Sequence, residues 1–337
     1  MILVSGGAGY IGSHTIIALN EMGYKDVLSV DNFMNSDPES YRRLEQIIGR
    51  SVEHIECDLA DREACLKLFD DFEFEGIIHF AALKSVPESF EMPNLYFRNN
   101  LNSLNNLLEA CQWHEINRFI FSSSCTVYGS PDKLPVSEES PLAKAESPYG
   151  LTKQMGEMMI ENICHIQADL KAISLRYFNP AGAHQSGLIG ETITGRPSSL
   201  VPILAQQAAG LREKVVVFGD DYSTPDGSCI RDYIHVSDIA EAHVLAYAHL
   251  TEMKENYEVF NLGSGFGNST LEVLAAFERE NKVKLNYEVG ARRSGDVERI
   301  YASNHKAKDQ LAWNPKKDLG DIVSSAWKWQ RNSPDKI

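Results

Sequence analysis

Tyr149 and Lys153 stand four positions apart in Ser147-Pro148-Tyr149-Gly150-Leu151-Thr152-Lys153. Pro148 suits the first turn of a helix, and residues four apart share a helix face, which brings an ammonium within range of a phenol. A free tyrosine has a pKa near 10 and is a weak base at neutral pH, and a nearby cation stabilises its phenolate. Moving such a pKa by about three units takes about 4 kcal/mol of differential interaction, so a second positive charge is called for besides the lysine. The bare Tyr-x-x-x-Lys spacing also occurs as an ordinary exposed pair, so the elements around it decide its meaning.

Those elements begin at once. Ile2-Leu3-Val4 reads as a short buried strand ending in Ser5, followed by a glycine turn and a helical pattern from Ile11 to Met22. Gly7-Ala8-Gly9-Tyr10-Ile11-Gly12 satisfies G-x-G-x-x-G, and Gly6, Gly9 and Gly12 satisfy the three-residue spacing of G-x-x-G-x-x-G. The missing side chains let backbone N–H groups approach a pyrophosphate at the positive end of the helix. A second strand, Val27 to Val30, ends in Asp31, roughly 20 residues past the loop, where a carboxylate accepts hydrogen bonds from a ribose diol and repels a 2′-phosphate. NAD is therefore expected over NADP, and its oxidised nicotinamide ring would supply the second positive charge. The bland reading of Asp31 is a turn cap.

The alternation continues with a strand over 51–56 followed by Asp58, a helix over 61–72 and a strand over 76–80 running into Ala81-Ala82-Leu83-Lys84. A long helix over 93–114 follows, then a strand at Arg118 to Phe121 with Ser122-Ser123-Ser124, the tyrosine helix to about Gln167, and a strand at Lys171 to Arg176. Repeated β-α units with near-continuous apolar strands imply an α/β fold, a doubly wound parallel sheet of Rossmann type with helices on both faces. Ligands then bind beyond the carboxyl ends of the strands. The unusual residues collect there: the glycine loop, Asp31, Asp58, Lys84, Ser122 to Ser124, and Tyr177-Phe178-Asn179-Pro180.

Beyond residue 180 the alternation weakens. The segment 182–202 is rich in Gly, Ser, Thr and Pro and reads as a loop able to close over a substrate. A strand over 215–218, a polar loop to Gly227 and helices over 236–249 and 270–280 follow. A dinucleotide-binding domain over 1–180 is therefore expected, with a smaller, mixed α/β substrate domain over 181–337, some segments of which return to the first. Arg231 and Arg293 are candidates for clamping a diphosphate, because a guanidinium fork matches phosphate oxygens.

Composition narrows the partners. A chain of 337 residues can build a large core, and a net charge of −15 argues against nucleic acid or an anionic membrane as the main partner. The six cysteines, Cys57, Cys65, Cys111, Cys125, Cys164 and Cys229, show no metal-ligand spacing and read as reduced thiols. No signal peptide or apolar run of membrane-spanning length is present, so the cytoplasm is expected.

Taken together the motifs resemble the extended short-chain dehydrogenase/reductase family, and within it the UDP-glucose 4-epimerases. The resemblance runs from Ile2 to about Gln330 and rests on Gly6 to His14, Asp31 to Ser36, His79 to Val86, Ser122 to Gly129, Ser147 to Gly150, Leu175 to Pro180, Phe218 to Tyr222, Asp226-Gly227, Ile230 to Val236, Asn261 to Gly263 and Arg293 to Asp296. It implies NAD-dependent interconversion of UDP-galactose and UDP-glucose through a 4-keto sugar. Tyr149 would be the acid/base at the sugar O4, Lys153 would hold the nicotinamide ribose and lower the Tyr149 pKa, and Ser124 would bond the reacting oxygen. Gly6, Gly9, Tyr10, Ile11, Gly12, Asp31, Asn32, Asn35, Ser36, Asp58, Leu59, Phe80, Ala81, Ala82, Lys84, Asn99, Ser122, Tyr177 and Phe178 would line the NAD site. Lys84, Asn179, Ser199, Leu200, Val216, Val217, Phe218, Arg231, Arg293, Asp296 and Ile300 would meet the UDP-sugar. Helices over 93–114 and 147–167 would form a homodimer interface.

Some positions depart from the pattern. Ser5 replaces a more usual Thr, and Ser198-Ser199 stand where many relatives have Asn-Asn. Ile300 is often Tyr in bacterial relatives selective for plain hexoses and smaller in those that also take N-acetylated sugars, whereas Lys84 is often Gly in relatives dedicated to N-acetylated sugars. The plain hexose pair is expected, with weak N-acetylhexosamine activity beside it. A 4,6-dehydratase needs an acid pair after the serine, which Cys125-Thr126 do not supply; uronate or pentose epimerases stay open, and a non-catalytic NAD sensor would be expected to lack the Tyr or Lys.

Overall fold

The apolar run Ile2–Ser5 forms β1, and the sheet grows from it on both sides. The computed structural model describes residues 1–192, 199–293 and 296–333. Positions 193–198 of the expected loop, Ser198 among them, and Ser294-Gly295 lie outside the described residues. After β1 come α1 (Tyr10–Glu21), β2 (Val27–Asp31), α2 (Glu39–Ile48), β3 (Glu53–Glu56), α3 (Arg62–Asp71), β4 (Gly76–His79), α4 (Val86–Glu91), α5 (Pro93–Trp113), β5 (Arg118–Ser124), α6 (Pro148–Ile166) and β6 (Lys171–Tyr177). The chain continues through β7 (Asn179–Ala181), α7 (Leu200–Ala208), β8 (Val215–Phe218), β9 (Ile230–Arg231), β10 (Tyr233–His235), α8 (Val236–His249) and β11 (Tyr257–Leu262). Last are β12 (Asn268–Ser269), α9 (Thr270–Asn281), β13 (Tyr287–Gly290), β14 (Arg299–Ile300), α10 (His305–Gln310) and α11 (Leu319–Asn332).

Seven strands form one sheet in the order β11-β6-β5-β4-β1-β2-β3, each pair parallel. Alternation along each strand divides the core between two faces. Ile2, Val4, Ile78 and Ile120 pack with Ile16 and Leu19 of α1 and Ile239 and Tyr247 of α8. Leu3, Ile77 and Phe119 pack on the opposite face with Leu68 of α3, Leu104 and Leu108 of α5, and Ile160 of α6. This is the doubly wound Rossmann-type sheet expected from the sequence. Because every strand runs the same way, the segments after β1, β2, β4, β5 and β6 all leave from one edge.

The structure departs from the sequence reading in the C-terminal half. The segment expected to be a loop as far as Pro202 gives way to a helix at Leu200, with Pro202 in the first turn, where the absent N–H has no helical partner to lose. β11 pairs with β6 from Tyr257↔Ala172 to Leu262↔Tyr177 and so belongs to the large sheet, while α8 packs on α1. A separate small core gathers Val201, Leu204, Val217, Val273, Phe277, Ile322 and Val323. Among the described residues no helix is long and apolar enough to cross a membrane.

Phe260 on β11 is fully buried in the core shared with α8, packing near Ile173 and Leu175 of β6. Phe260→Ala is expected to lower unfolding free energy by about 3–5 kcal/mol, measured by urea denaturation.

Candidate active site

α6 opens with a full set of local signals. Ser147 caps it, its Oγ accepting from the Gly150 N–H at 3.0 Å, and Pro148 occupies the first turn. Tyr149 then faces the cleft half-buried, and Lys153 lies one turn further in, 4% exposed, with Nζ donating to the Ser122 carbonyl at 2.6 Å. The ammonium stands 5.9 Å from the centre of the Tyr149 ring.

The electrostatics of the pair are dominated by burial. Desolvation pushes the Tyr149 hydroxyl up to about 12, with a hydrogen bond to Ser124 pulling the other way. Desolvation also brings the Lys153 ammonium down to about 7, and the carboxylate of Glu157 opposes that fall. The chain's own groups therefore do not make Tyr149 a phenolate at neutral pH, and the second positive charge called for by the sequence has to come from outside the chain. His79 beneath them is lowered to about 3, first by burial and then by Lys153, so it is neutral and adds no competing charge.

The glycine loop forms one wall. Gly6 has φ +70°, the left-handed region that suits glycine, and a Cβ there would sit 2.8 Å from the Ala81 nitrogen. A Cβ on Gly12 would lie 2.3 Å from the Gly6 carbonyl oxygen. Ser5 fits this turn without a methyl: its Oγ bonds His79 Nδ1 at 2.7 Å and accepts from the Phe80 and Ala81 N–H groups. Asp31 caps the turn after β2 and lines the cleft beside the glycine loop. It accepts from Phe33 N at 2.9 Å and Ser36 Oγ at 2.7 Å as a turn cap, and from Ala8 N at 3.1 Å, tying the glycine loop to the end of β2. A close-approach glycine turn, a carboxylate at the next strand end and a cleft of about 990 Å³ between them fit a dinucleotide.

Every residue expected at the site lines this one cleft except Val217. Alternation along β8 turns Val216 and Phe218 to the cleft and Val217 into the small core, where it is 1% exposed. At the far end Arg293 makes a two-pronged bond to Asp296, with Nη2 to Oδ1 at 2.8 Å and Nε to Oδ2 at 3.2 Å, and lies over the Phe218 ring. Arg231 Nη2 comes within 3.7 Å of the same Asp296 carboxylate. Both guanidiniums thus converge at one place, as phosphate recognition needs. Ile300 is 4% exposed and packs with Val127, Tyr128 and Phe178.

Sequence reasoning missed other lining residues. Glu191 binds the Lys84 ammonium at 2.8 Å across the cleft and also accepts from Ser199 Oγ at 3.3 Å. Nothing in the spacing around Glu191 signals this, since its partner lies 107 positions away. Thr126 also lines the cleft, with a buried Oγ1 that has no partner, and its place two residues after Ser124 was the available signal.

Comparison with known proteins agrees with this geometry. The NAD dependent epimerase/dehydratase family matches residues 2–263. The chain is 44% identical over 339 residues to the UDP-glucose 4-epimerase of Homo sapiens, spanning 99% of this chain and 97% of the human one. The structure of UDP-glucose 4-epimerase from Bifidobacterium longum in complex with NAD+ and UDP superimposes with a TM-score of 0.95 at 42% identity, covering 100% of this chain and 99% of that one. That of the Stenotrophomonas maltophila UDP-glucose-4-epimerase, with bound NAD and formylated UDP-arabinopyranose, gives 0.94 at 43% identity over 98% of this chain and 97% of that chain.

Gly12→Ala places a methyl against the Gly6 carbonyl, so the turn has to open. The expected outcome is loss of dinucleotide binding in a fluorescence titration, with an unchanged circular dichroism spectrum.

Proposed function

The chain belongs to the NAD dependent epimerase/dehydratase family, and from that premise we propose that it interconverts UDP-galactose and UDP-glucose by inverting C4 of the sugar on bound NAD. The observation that carries this reading is the meeting, in one cleft, of the Tyr149–Lys153 face of α6, the glycine turn and the paired arginines at Asp296. NAD, once bound, would supply the acceptor and donor of the C4 hydrogen. Tyr149 takes the proton of the sugar O4 and returns it to the same oxygen. Ser124, whose hydroxyl bonds Tyr149, orients the reacting oxygen. Lys153 keeps positive charge beside the phenol and holds the nicotinamide ribose.

The two ends of the cleft divide the labour. Gly6, Gly9, Tyr10, Ile11, Gly12, Asp31, Asn32, Asn35, Ser36, Asp58, Leu59, Phe80 to Ala82, Lys84, Asn99, Ser122, Tyr177 and Phe178 hold NAD. Asn179, Ser199, Leu200, Val216, Phe218, Arg231, Arg293 and Asp296 hold the UDP portion, while Val217 packs beneath them in the small core. Residues 1–180 are the NAD-binding part and 181–337 the UDP-sugar part, with α8 and β11 returned to the first. Firm anchoring of the diphosphate lets the hexose turn over between the two transfers. Lys84 favours plain hexoses, while Ile300, smaller than the Tyr of many hexose-selective relatives, leaves room for weak activity on N-acetylated sugars.

We also place the protein in the cytoplasm as a homodimer. Six unpaired thiols suit a reducing compartment. Leu151, Met155 and Met158 lie on the outer face of α6 at 39%, 38% and 60% exposure, an apolar stripe that a second copy would cover.

Purified protein incubated with UDP-galactose and no added cofactor is expected to form UDP-glucose, and Tyr149→Phe to cut kcat by about 10²–10⁴, the usual worth of acid/base catalysis. Failure of the wild type even with NAD added would reject the reading. With UDP-N-acetylglucosamine, kcat/KM is expected to fall below that for UDP-glucose; the reverse order would reject the assignment of the pocket to plain hexoses.

A further inference from the structure

We infer that Glu157, clasped by Arg176, is the positioning residue that keeps the Lys153 ammonium charged beside Tyr149; the inference rests on the epimerase reading above. Tyr149, Lys153 and Glu157 follow one another at four-residue intervals on α6, so they form a ladder from the cleft into the core. Lys153 and Glu157 are each 4% exposed. β5 engages both through consecutive residues: the Ser122 carbonyl accepts from Lys153, and Ser123 Oγ donates to Glu157 Oε1 at 2.5 Å.

Arg176 fixes the carboxylate from the neighbouring strand, where it is the register partner of Ser123. Its Nε donates to Glu157 Oε1 at 2.9 Å and its Nη2 to Oε2 at 2.6 Å. Its Nη1 donates to Tyr128 OH at 2.9 Å, and Tyr128 in turn donates to Asn261 Oδ1 at 2.6 Å. Both the guanidinium and the carboxylate are therefore held from several elements, and neither can turn away from the core.

The surroundings leave Glu157 as the carboxylate acting on Lys153 among the described residues. β4 contributes His79, β5 the serines, β6 Arg176 and Tyr177, the turn after β5 Tyr128, and β11 Tyr257. His79 is neutral because burial lowers it, and burial raises the three tyrosines so that they too are neutral at pH 7. The Lys153 ammonium, brought down by burial, is held up by Glu157. A buried ion pair is also a poor way to gain stability, since apolar groups of the same volume serve as well or better. A bidentate pair retained one turn below the dyad is consistent with a use beyond packing.

The test is the pH profile of kcat for UDP-galactose conversion by the NAD-loaded protein. Wild-type conversion comes first, and its absence would reject the epimerase reading rather than this one. In Glu157→Gln the ammonium loses its carboxylate and faces an unopposed guanidinium. Its proton is then lost at lower pH, so the alkaline limb is expected to move down by about one unit and kcat at pH 9 to fall about tenfold. At the acid side of the optimum kcat stays within about threefold, and KM is unchanged. Should Glu157→Gln fold poorly, the Glu157→Met/Arg176→Met double variant decides, because it removes both charges together. Its alkaline limb is expected to move the same way by a smaller amount. A folded variant whose activity falls equally at every pH, with the limbs unmoved, would overturn the inference.

Discussion

A positive charge kept inside the protein is the constraint around which the rest is arranged. The Lys153 ammonium is out of water and survives there because the Ser122 carbonyl accepts a hydrogen bond from it at 2.6 Å and a carboxylate lies one turn below. That contact needs β5 to end beside the first turns of α6, which in turn needs the Ser147 cap to start the helix at Pro148. It also needs the parallel sheet, because only strands running the same way deliver the glycine turn, Asp31, Lys84 and Ser124 to the edge where the dyad sits.

The two ends of the cleft hold their ligand by different means. At the dinucleotide end the fit is steric and permanent: the backbone of Gly6, Gly12 and Ala81 is packed so closely that no side chain enters. Across the middle and at the far end the groups are ion pairs. Lys84 bonds Glu191 with 61% of its side chain exposed, and such a pair is worth less than about 1 kcal/mol. At the far end Arg231 and Asp296 are largely out of water, so their charges are held more firmly than the Lys84 ammonium.

What the sequence disclosed was local. The strand, glycine turn and helix at the start, the alternation that built the sheet, and the cap and face of α6 are all written within a few consecutive residues, and α8 (Val236–His249) was read with its observed bounds. The unread features depend on distant partners. β11 lacks strong alternation, and its place beside β6 is set by pairing rather than by its own sequence. Pro202 closes the segment whose composition reads as a loop, although the first turn of a helix tolerates proline. Glu191 and the Glu157–Arg176 pair acquire meaning only through residues from other strands and loops. Val217 was grouped with its neighbours at the site, yet the two-residue alternation of a strand sends it to the opposite side.

The position of β11 bears on how the chain can be made. The sheet that cradles the dinucleotide takes its edge strand from Tyr257–Leu262, after the whole of the segment 178–256 has been synthesised. Until then β6 presents an open row of backbone donors and acceptors, the kind of edge to which other chains add. A nascent polypeptide emerging from the ribosome therefore cannot close its first half before starting the second, and the two halves mature together rather than in succession.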